Sequence, residues 1–164
     1  MAATLKFCQV TLVVLIAACA SHATGGLAAA PRSQWTGAFK SNRLNSELGR
    51  SAPNSGFGSI TLTPIQESSR GTRIEISVSA PVPAGEHVAW AVLSGTCGSA
   101  HPMLAGPSEF PTIEVGESGS GSARADMAFT LDVNGSYHAN VYWPNRSRDL
   151  NDVMMCANLT LNGR

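Results

Sequence analysis

The chain has 164 residues, 43% of them hydrophobic, and its formal net charge at pH 7 is zero. That length and apolar share suit one folded domain and argue against a wholly disordered chain. Charged residues make up only 13% of the sequence, and no basic stripe is present, so a nucleic-acid partner is not expected. The sequence predicts a cellular location and a fold more clearly than an activity.

The N-terminus has the features of an export signal. Lys6 precedes an apolar run over residues 10–18. That run is about nine residues long, whereas crossing a bilayer takes about twenty, so we expect residues 1–18 to be a cleaved signal peptide and not a membrane span.

The end of this run resembles the lipobox of bacterial lipoproteins, because residues 15–19 are Leu-Ile-Ala-Ala-Cys. In that family the signal is cut just before the cysteine, whose thiol and new N-terminus are acylated. The resemblance implies that Cys19 carries lipid and that the N-terminus is anchored in a membrane. Several acyl chains would hold the protein there firmly. Ordinary secretory cleavage is the alternative, because residues 21–23 and 28–30 offer small-x-small sites.

The remaining cysteines form an even pair. Cys8 lies in the predicted signal and Cys19 in the predicted anchor, which leaves Cys97 and Cys156 in a chain bound for an oxidising compartment. A disulfide between them would close about sixty residues and stabilise the fold by about 4 kcal/mol. Two buried free thiols are the alternative.

The mature chain divides into two parts. Residues 19–33 are small and lack periodicity, which predicts a lipidated N-terminus followed by a flexible tether. Residues 34–164 are predicted to be one β-domain, with a first short strand over residues 35–39 and a long loop over residues 40–56.

A two-residue period then dominates. Residues 73–79 alternate cleanly, whereas residues 87–93 are apolar on both sides, which is typical of a central strand. Further strands are expected near residues 60–63, 113–115, 123–131, 137–143 and 153–161. In the strand 137–143 the period assigns His138, Asn140 and Tyr142 to the polar side. About seven or eight short antiparallel strands predict an all-β, Greek-key β-sandwich.

Several of these segments resemble the copper/zinc superoxide dismutase fold, and chordin-type repeat domains share the pattern. The resemblance covers about residues 58–161 and is carried by residues 71–79, 83–97, 110–115, 123–131, 135–142 and 155–159. It implies a superoxide-dismutase-like sandwich. It also implies that a cysteine of the long loop pairs with one near the C-terminus, and Cys97 and Cys156 match those places.

The metal ligands of that family have no counterparts. The copper-strand positions hold Trp90 and Val92, neither of which can ligate a metal ion. The zinc-loop span 98–111 offers only His101 and Glu109, and His138 lies two or three places before the late copper ligand. We therefore expect no metal, no other cofactor and no dismutase activity.

Other chemistry is weakly indicated. Cys97, His101 and Met103 have the composition of a blue-copper site, but a disulfide explains Cys97 better. There is no Gly-x-Ser-x-Gly nucleophile motif and no phosphate-binding glycine pattern. The histidines are expected to be exposed or turn-region imidazoles (His22, His87, His101 and His138).

The sequence therefore predicts a lipid-anchored cell-envelope protein with a non-catalytic binding or structural module. Its further partner is expected to be an unknown envelope protein or a small ligand. Two alternatives remain open. One is an envelope protein that binds copper or zinc through an unrecognised histidine set, and the other is a plain secreted protein.

Overall fold

A computed structural model describes residues 33–41, 56–65 and 71–163. The predicted signal peptide, Cys19, almost all of the tether and most of the predicted loop 40–56 lie outside these residues. Within the described ranges, no helix is long and apolar enough to cross a membrane.

The described chain is all-β, as the periodicity predicts, and every strand pairing is antiparallel. The only helical segments there are two single 3-10 turns, Pro107–Glu109 and Leu150–Asp152. The strands are β1 (Gln34–Ser41), β2 (Phe57–Ile65), β3 (Gly71–Ser79), β4 (His87–Val88), β5 (Trp90–Ser94), β6 (Ile113–Glu114), β7 (Ser120–Met127), β8 (Tyr137–Tyr142), β9 (Val153–Asn158) and β10 (Thr160–Asn162).

One curled sheet contains most of these strands, in the order β5-β8-β9-β1-β2-β3-β7, with β10 beside β1. The strand expected over residues 87–93 is divided at Ala89. Its first part, β4, pairs with β6, and its second part, β5, pairs with β8. Because β6 packs against β7 at Gly121, where an added β-carbon would lie 2.3 Å from the Glu114 carbonyl oxygen, the sheet folds back towards its own edge. The result is a flattened barrel or β-sandwich.

The core lies on the inner side of this sheet. Inward residues of β3 are fully buried, and they pair in register with apolar residues of β2 and β7. The outward residues of the same strand are polar. We call the outer side of β2, β3 and β7 the open face, since it carries exposed side chains such as Glu75, Arg124 and Asp126.

The strand β8 behaves differently, and one expectation about it was wrong. Ala139 and Val141 point inward, as predicted, but His138, Asn140 and Tyr142 on the opposite side are buried too. The period located these side chains on one face correctly. It could not show that loops cover that face. We call the outer side of β5, β8 and β9 the covered face.

Candidate functional site

A disulfide joins the loop after β5 to strand β9 on the covered face. The Sγ atoms of Cys97 and Cys156 are 2.02 Å apart, and the two residues are 59 positions apart in sequence. The backbone N–H of Cys97 also donates a hydrogen bond to Oδ1 of Asn158, 2.8 Å away. These two links hold the start of the loop 95–112 over the sheet.

The covered face carries a column of three buried polar side chains on β8. His138 is 0% exposed, Asn140 is 2% exposed and Tyr142 is 1% exposed. They lie on one side of the strand because side chains two positions apart in a strand point the same way. Buried polar atoms normally have hydrogen-bond partners, so each member of this column requires an explanation.

His138 lacks such partners. Both of its ring nitrogens are buried without a hydrogen bond of normal geometry. Burial lowers the pKa of His138, and the neighbouring His101 lowers that pKa further, while the backbone of Gly95 and Ser94 acts in the opposite direction. The imidazole is therefore held in its neutral form by an apolar environment.

The ring of His101 packs above this region against Gly95. Gly95 has a φ of +80°, and a β-carbon at that position would lie 2.3 Å from Cδ2 of His101. Glycine is required there for both reasons. The same turn brings His101 close to the buried ring of His138.

Asn140 has one satisfied end and one unsatisfied end. Its Nδ2 donates a long hydrogen bond, 3.5 Å, to the Tyr142 hydroxyl, while its buried Oδ1 has no partner. Exchanging the amide oxygen and nitrogen would leave the other atom alone instead, because among the described residues the Tyr142 hydroxyl is the one hydrogen-bond partner of this amide. An unsatisfied buried amide atom costs about 1–3 kcal/mol of folding stability.

Arg148 closes the far end of the column. Its Nη1 donates to the Pro107 carbonyl and, at 3.5 Å, to the Trp90 carbonyl, and so connects the loop before β9 to the loop after β5. Burial raises the pKa of Tyr142, and the hydrogen bond from Asn140 and then the Arg148 charge partly offset that rise. Tyr142 therefore stays protonated and polar beneath the loops.

A cleft of about 520 Å³ opens beside the disulfide, over the outer side of β1, β8 and β9. Its volume falls in the range of small-molecule sites. Asn140 and both cysteines contribute to its lining, together with further polar and apolar residues (Lys40, Ser41, Leu150, Val153 and Asn158).

The sheet register explains how distant parts of the chain meet in this cleft. Lys40 pairs with Cys156, and Cys156 pairs with Asn140, so the three residues form one row across β1, β9 and β8. Residues directly opposite each other share a face of the sheet. The row therefore puts a cation, a disulfide and a buried amide on the same surface.

The structure places the residues from the dismutase comparison in the core. Trp90 and Val92 are 0% exposed and pair with Val141 and Ala139, whose side chains point inward. The β5 residues on the covered face are instead Ala91 and Leu93, which pair with Asn140 and His138. The family's ligand positions, as the sequence aligns them, thus lie in the core and not on the polar surface.

The three described histidines do not all converge, because His101 lies close to His138 whereas His87 is on strand β4. His87 is exposed on β4, and His101 is exposed above Gly95, whereas the expectation of an exposed imidazole was wrong for His138. Met103 lies opposite Leu93, and Cys97 is bonded to Cys156, so Cys97 cannot serve as a thiolate ligand. Within residues 33–41, 56–65 and 71–163, no three His, Cys, Asp or Glu side chains converge on a possible metal position.

Sequence reasoning missed Lys40, Asn140 and Asn158 as site residues. The available signal was the polar set at alternate positions of β8, which a solvent-facing strand would show equally well.

No protein-family model, no curated protein and no solved structure matches the chain.

Proposed function

We propose that the protein is a lipid-anchored, non-catalytic binding module of the bacterial cell envelope, and that the cleft beside the disulfide is its ligand site. The observation that carries the proposal is that Asn140, whose buried Oδ1 has no hydrogen-bond partner among the described residues, contributes to the lining of a cleft large enough for a small molecule. A polar atom that is costly to bury is the kind of group that a ligand can satisfy.

The chemistry of the lining favours binding over catalysis. Asn140, Asn158 and Ser41 supply amide and hydroxyl groups, and Lys40 supplies a positive charge. These groups orient a ligand by hydrogen bonding and charge. The disulfide forms a rigid wall, because both of its sulfurs are already bonded.

Export and anchoring rest on the N-terminal sequence. The apolar run 10–18, followed by Cys19, supports cleavage and acylation there, and a disulfide suits the oxidising compartment to which a signal peptide leads. The domain would then stand away from the membrane on residues 20–33.

Mass spectrometry of the mature N-terminus tests the anchor. We expect a chain that begins at Cys19, carries acyl groups and partitions with membranes. Replacing Cys19→Ser should leave the precursor uncut or release the protein, whereas Ser21→Ala is a matched control that keeps the anchor. An unmodified N-terminus at Thr24 or Pro31 in a soluble wild-type protein would instead identify a plain secreted protein.

A second candidate function is copper or zinc handling, and one observation favours it. Both ring nitrogens of the buried His138 lack partners, and His101 lies close enough to lower its pKa. Imidazole nitrogens suit both metals. Metal analysis of the purified protein separates the candidates. Under the first proposal, dialysed protein retains no copper or zinc, and neither metal raises the melting temperature, because only a ligand of the folded state stabilises it.

A further inference from the structure

We infer that the cleft beside the disulfide binds an α-acylamino carboxylate, the chemistry shared by N-acyl amino acids and by the free C-terminus of a peptide. The inference rests on the proposed function, because it takes the cleft to be the ligand site. Four features of the lining specify such a ligand.

The first feature is positive charge. Lys40 is the one charged side chain that the described residues contribute to the lining of the cleft, and it forms no ion pair with another described residue. Asn158 uses its Oδ1 to accept the Cys97 N–H, so its amide nitrogen remains available as a donor. An ammonium and an amide N–H together favour a carboxylate, because hydrogen bonds between charged groups are the stronger ones.

The second feature is the amide of Asn140. Asn140 contributes to the lining of the cleft, and its Oδ1 is buried without a hydrogen-bond partner among the described residues. A secondary amide on the ligand supplies both an N–H and a carbonyl oxygen, so it satisfies Asn140 whichever way the side-chain amide is turned. A simple alcohol or ether offers fewer such pairings.

The third feature is distance. Lys40 and Asn140 are separated by one strand in the same row, so their α-carbons are about 10 Å apart. An extended lysine side chain is long enough to bring its ammonium group towards the amide, so a ligand that contacts both groups needs only a few bonds between its anion and its amide. In an α-acylamino carboxylate one carbon separates the two groups.

The fourth feature is an apolar wall. Leu150 and Val153 line the cleft on the side of the loop before β9, and Leu150 is 38% exposed although it is a large hydrophobic residue. An apolar side chain on the α-carbon of the ligand would cover this wall and remove apolar surface from water. A ligand based on leucine therefore uses all four features.

Isothermal titration of the purified full-length protein in detergent with N-acetyl-leucine tests the inference. We expect saturable binding, at least about tenfold weaker binding of the methyl ester, which lacks the charge, and similarly weaker binding to Lys40→Met. Lys40→Arg should retain binding. Arg124→Met, which removes an exposed cation from the open face, is the matched control and should bind as the wild type does.

Asn140→Leu provides a variant that is expected to fold. Leucine removes the unsatisfied amide oxygen but also the long hydrogen bond to the Tyr142 hydroxyl, so the melting temperature should stay close to that of the wild type while binding is lost. If a destabilised Asn140→Leu loses binding, Lys40→Met still decides, because Lys40 is exposed. Acetyl-Gly-Gly-Leu distinguishes the sources. Tighter binding than N-acetyl-leucine assigns the site to a peptide C-terminus, and equal or weaker binding assigns it to a small N-acyl amino acid.

Two results would overturn the inference in different ways. Equal binding of acid and methyl ester, or binding of a neutral disaccharide alone, would reject this ligand class. The cleft would still be a binding site if Asn140→Leu abolished the binding that is observed. Binding that neither Lys40→Met nor Asn140→Leu alters, or no binding by any probe, would reject the cleft as well.

Discussion

The open face and the covered face of the sheet are built from similar polar alternation but differ in their exposure to water. On the open face, Arg73 and Asp126 form a two-point ion pair with 2.8 Å contacts, and about half of each side chain remains exposed. On the covered face, His138 and Asn140 are buried and retain unpartnered nitrogen or oxygen atoms.

This difference shows that a polar residue on a strand lowers the folding stability more on the covered face than on the open face. Water satisfies the open face, so its side chains can change with little effect on stability. Side chains on the covered face are shielded from water, and their unpaired atoms reduce stability unless a ligand supplies hydrogen bonds to them. Such atoms on a face that carries a cleft support the proposal that this face binds a ligand.

The largest effect should follow from removing the bridge that holds the cover in place. In Cys97→Ala/Cys156→Ala the unfolded chain gains the freedom of a loop of 59 positions, so the free energy of unfolding should fall by about 4 kcal/mol. Urea denaturation measures this change. Arg124→Met on the open face serves as the control.

Thiol titration checks the same bridge directly. The unfolded, unreduced mature chain should show no free thiol from Cys97 or Cys156, and reduction should release two. Two thiols before reduction would remove the basis of the stability difference between the faces, and would weaken the resemblance to the dismutase fold.

The fold was largely predictable because most of its strands have one face in the core. In β3 the apolar residues Ile74, Ile76 and Val78 alternate with polar ones, and the structure buries and exposes them accordingly. The break at Ala89 was not predictable. It arises because the Ala89 carbonyl accepts the Tyr142 N–H, 2.8 Å away, where the strand changes partners. Sequence patterns contain no information on such long-range pairing.

The candidate site could not be predicted from the sequence for a related reason. Lys40 and Asn140 meet only through the register of β1, β9 and β8, and no local period reports that register. The burial of His138 depends on where the loop 95–112 lies, which in turn depends on Cys97 and Gly95. The cysteine pair itself was predictable, since counting and compartment suffice for that.

A smaller effect should appear as a pH dependence of the covered face between pH 7.5 and pH 5. The ordinary pKa of histidine is 6.5, and burial lowers the pKa of His138 below it in the folded state. The unfolded chain therefore binds the extra proton first as the pH falls. Stability from this group is complete above pH 6.5 and is lost below it, by at most about 1.4 kcal/mol per pH unit.

His138→Leu should remove that dependence, because leucine cannot be protonated. Melting temperatures measured from pH 7.5 to pH 5 should fall less for this variant than for the wild type, and at pH 7.5 the variant should be at least as stable. His87→Gln, on the exposed strand β4, is the control and should follow the wild-type curve. Parallel curves for His138→Leu and wild type would mean that the buried imidazole does not set the acid sensitivity.

The smallest effect is expected on the open face, where Arg124 and Glu75 form an ion pair of 3.7 Å with 61% of each side chain exposed. Solvent screens such a pair, and ordering two long side chains offsets most of the attraction, so Arg124→Gln should lower the free energy of unfolding by less than about 0.5 kcal/mol. Urea denaturation at low and at high salt measures it, and the two values should agree closely. A loss as large as that from removing the disulfide would show that water does not satisfy the open face, and the contrast between the two faces would then fail.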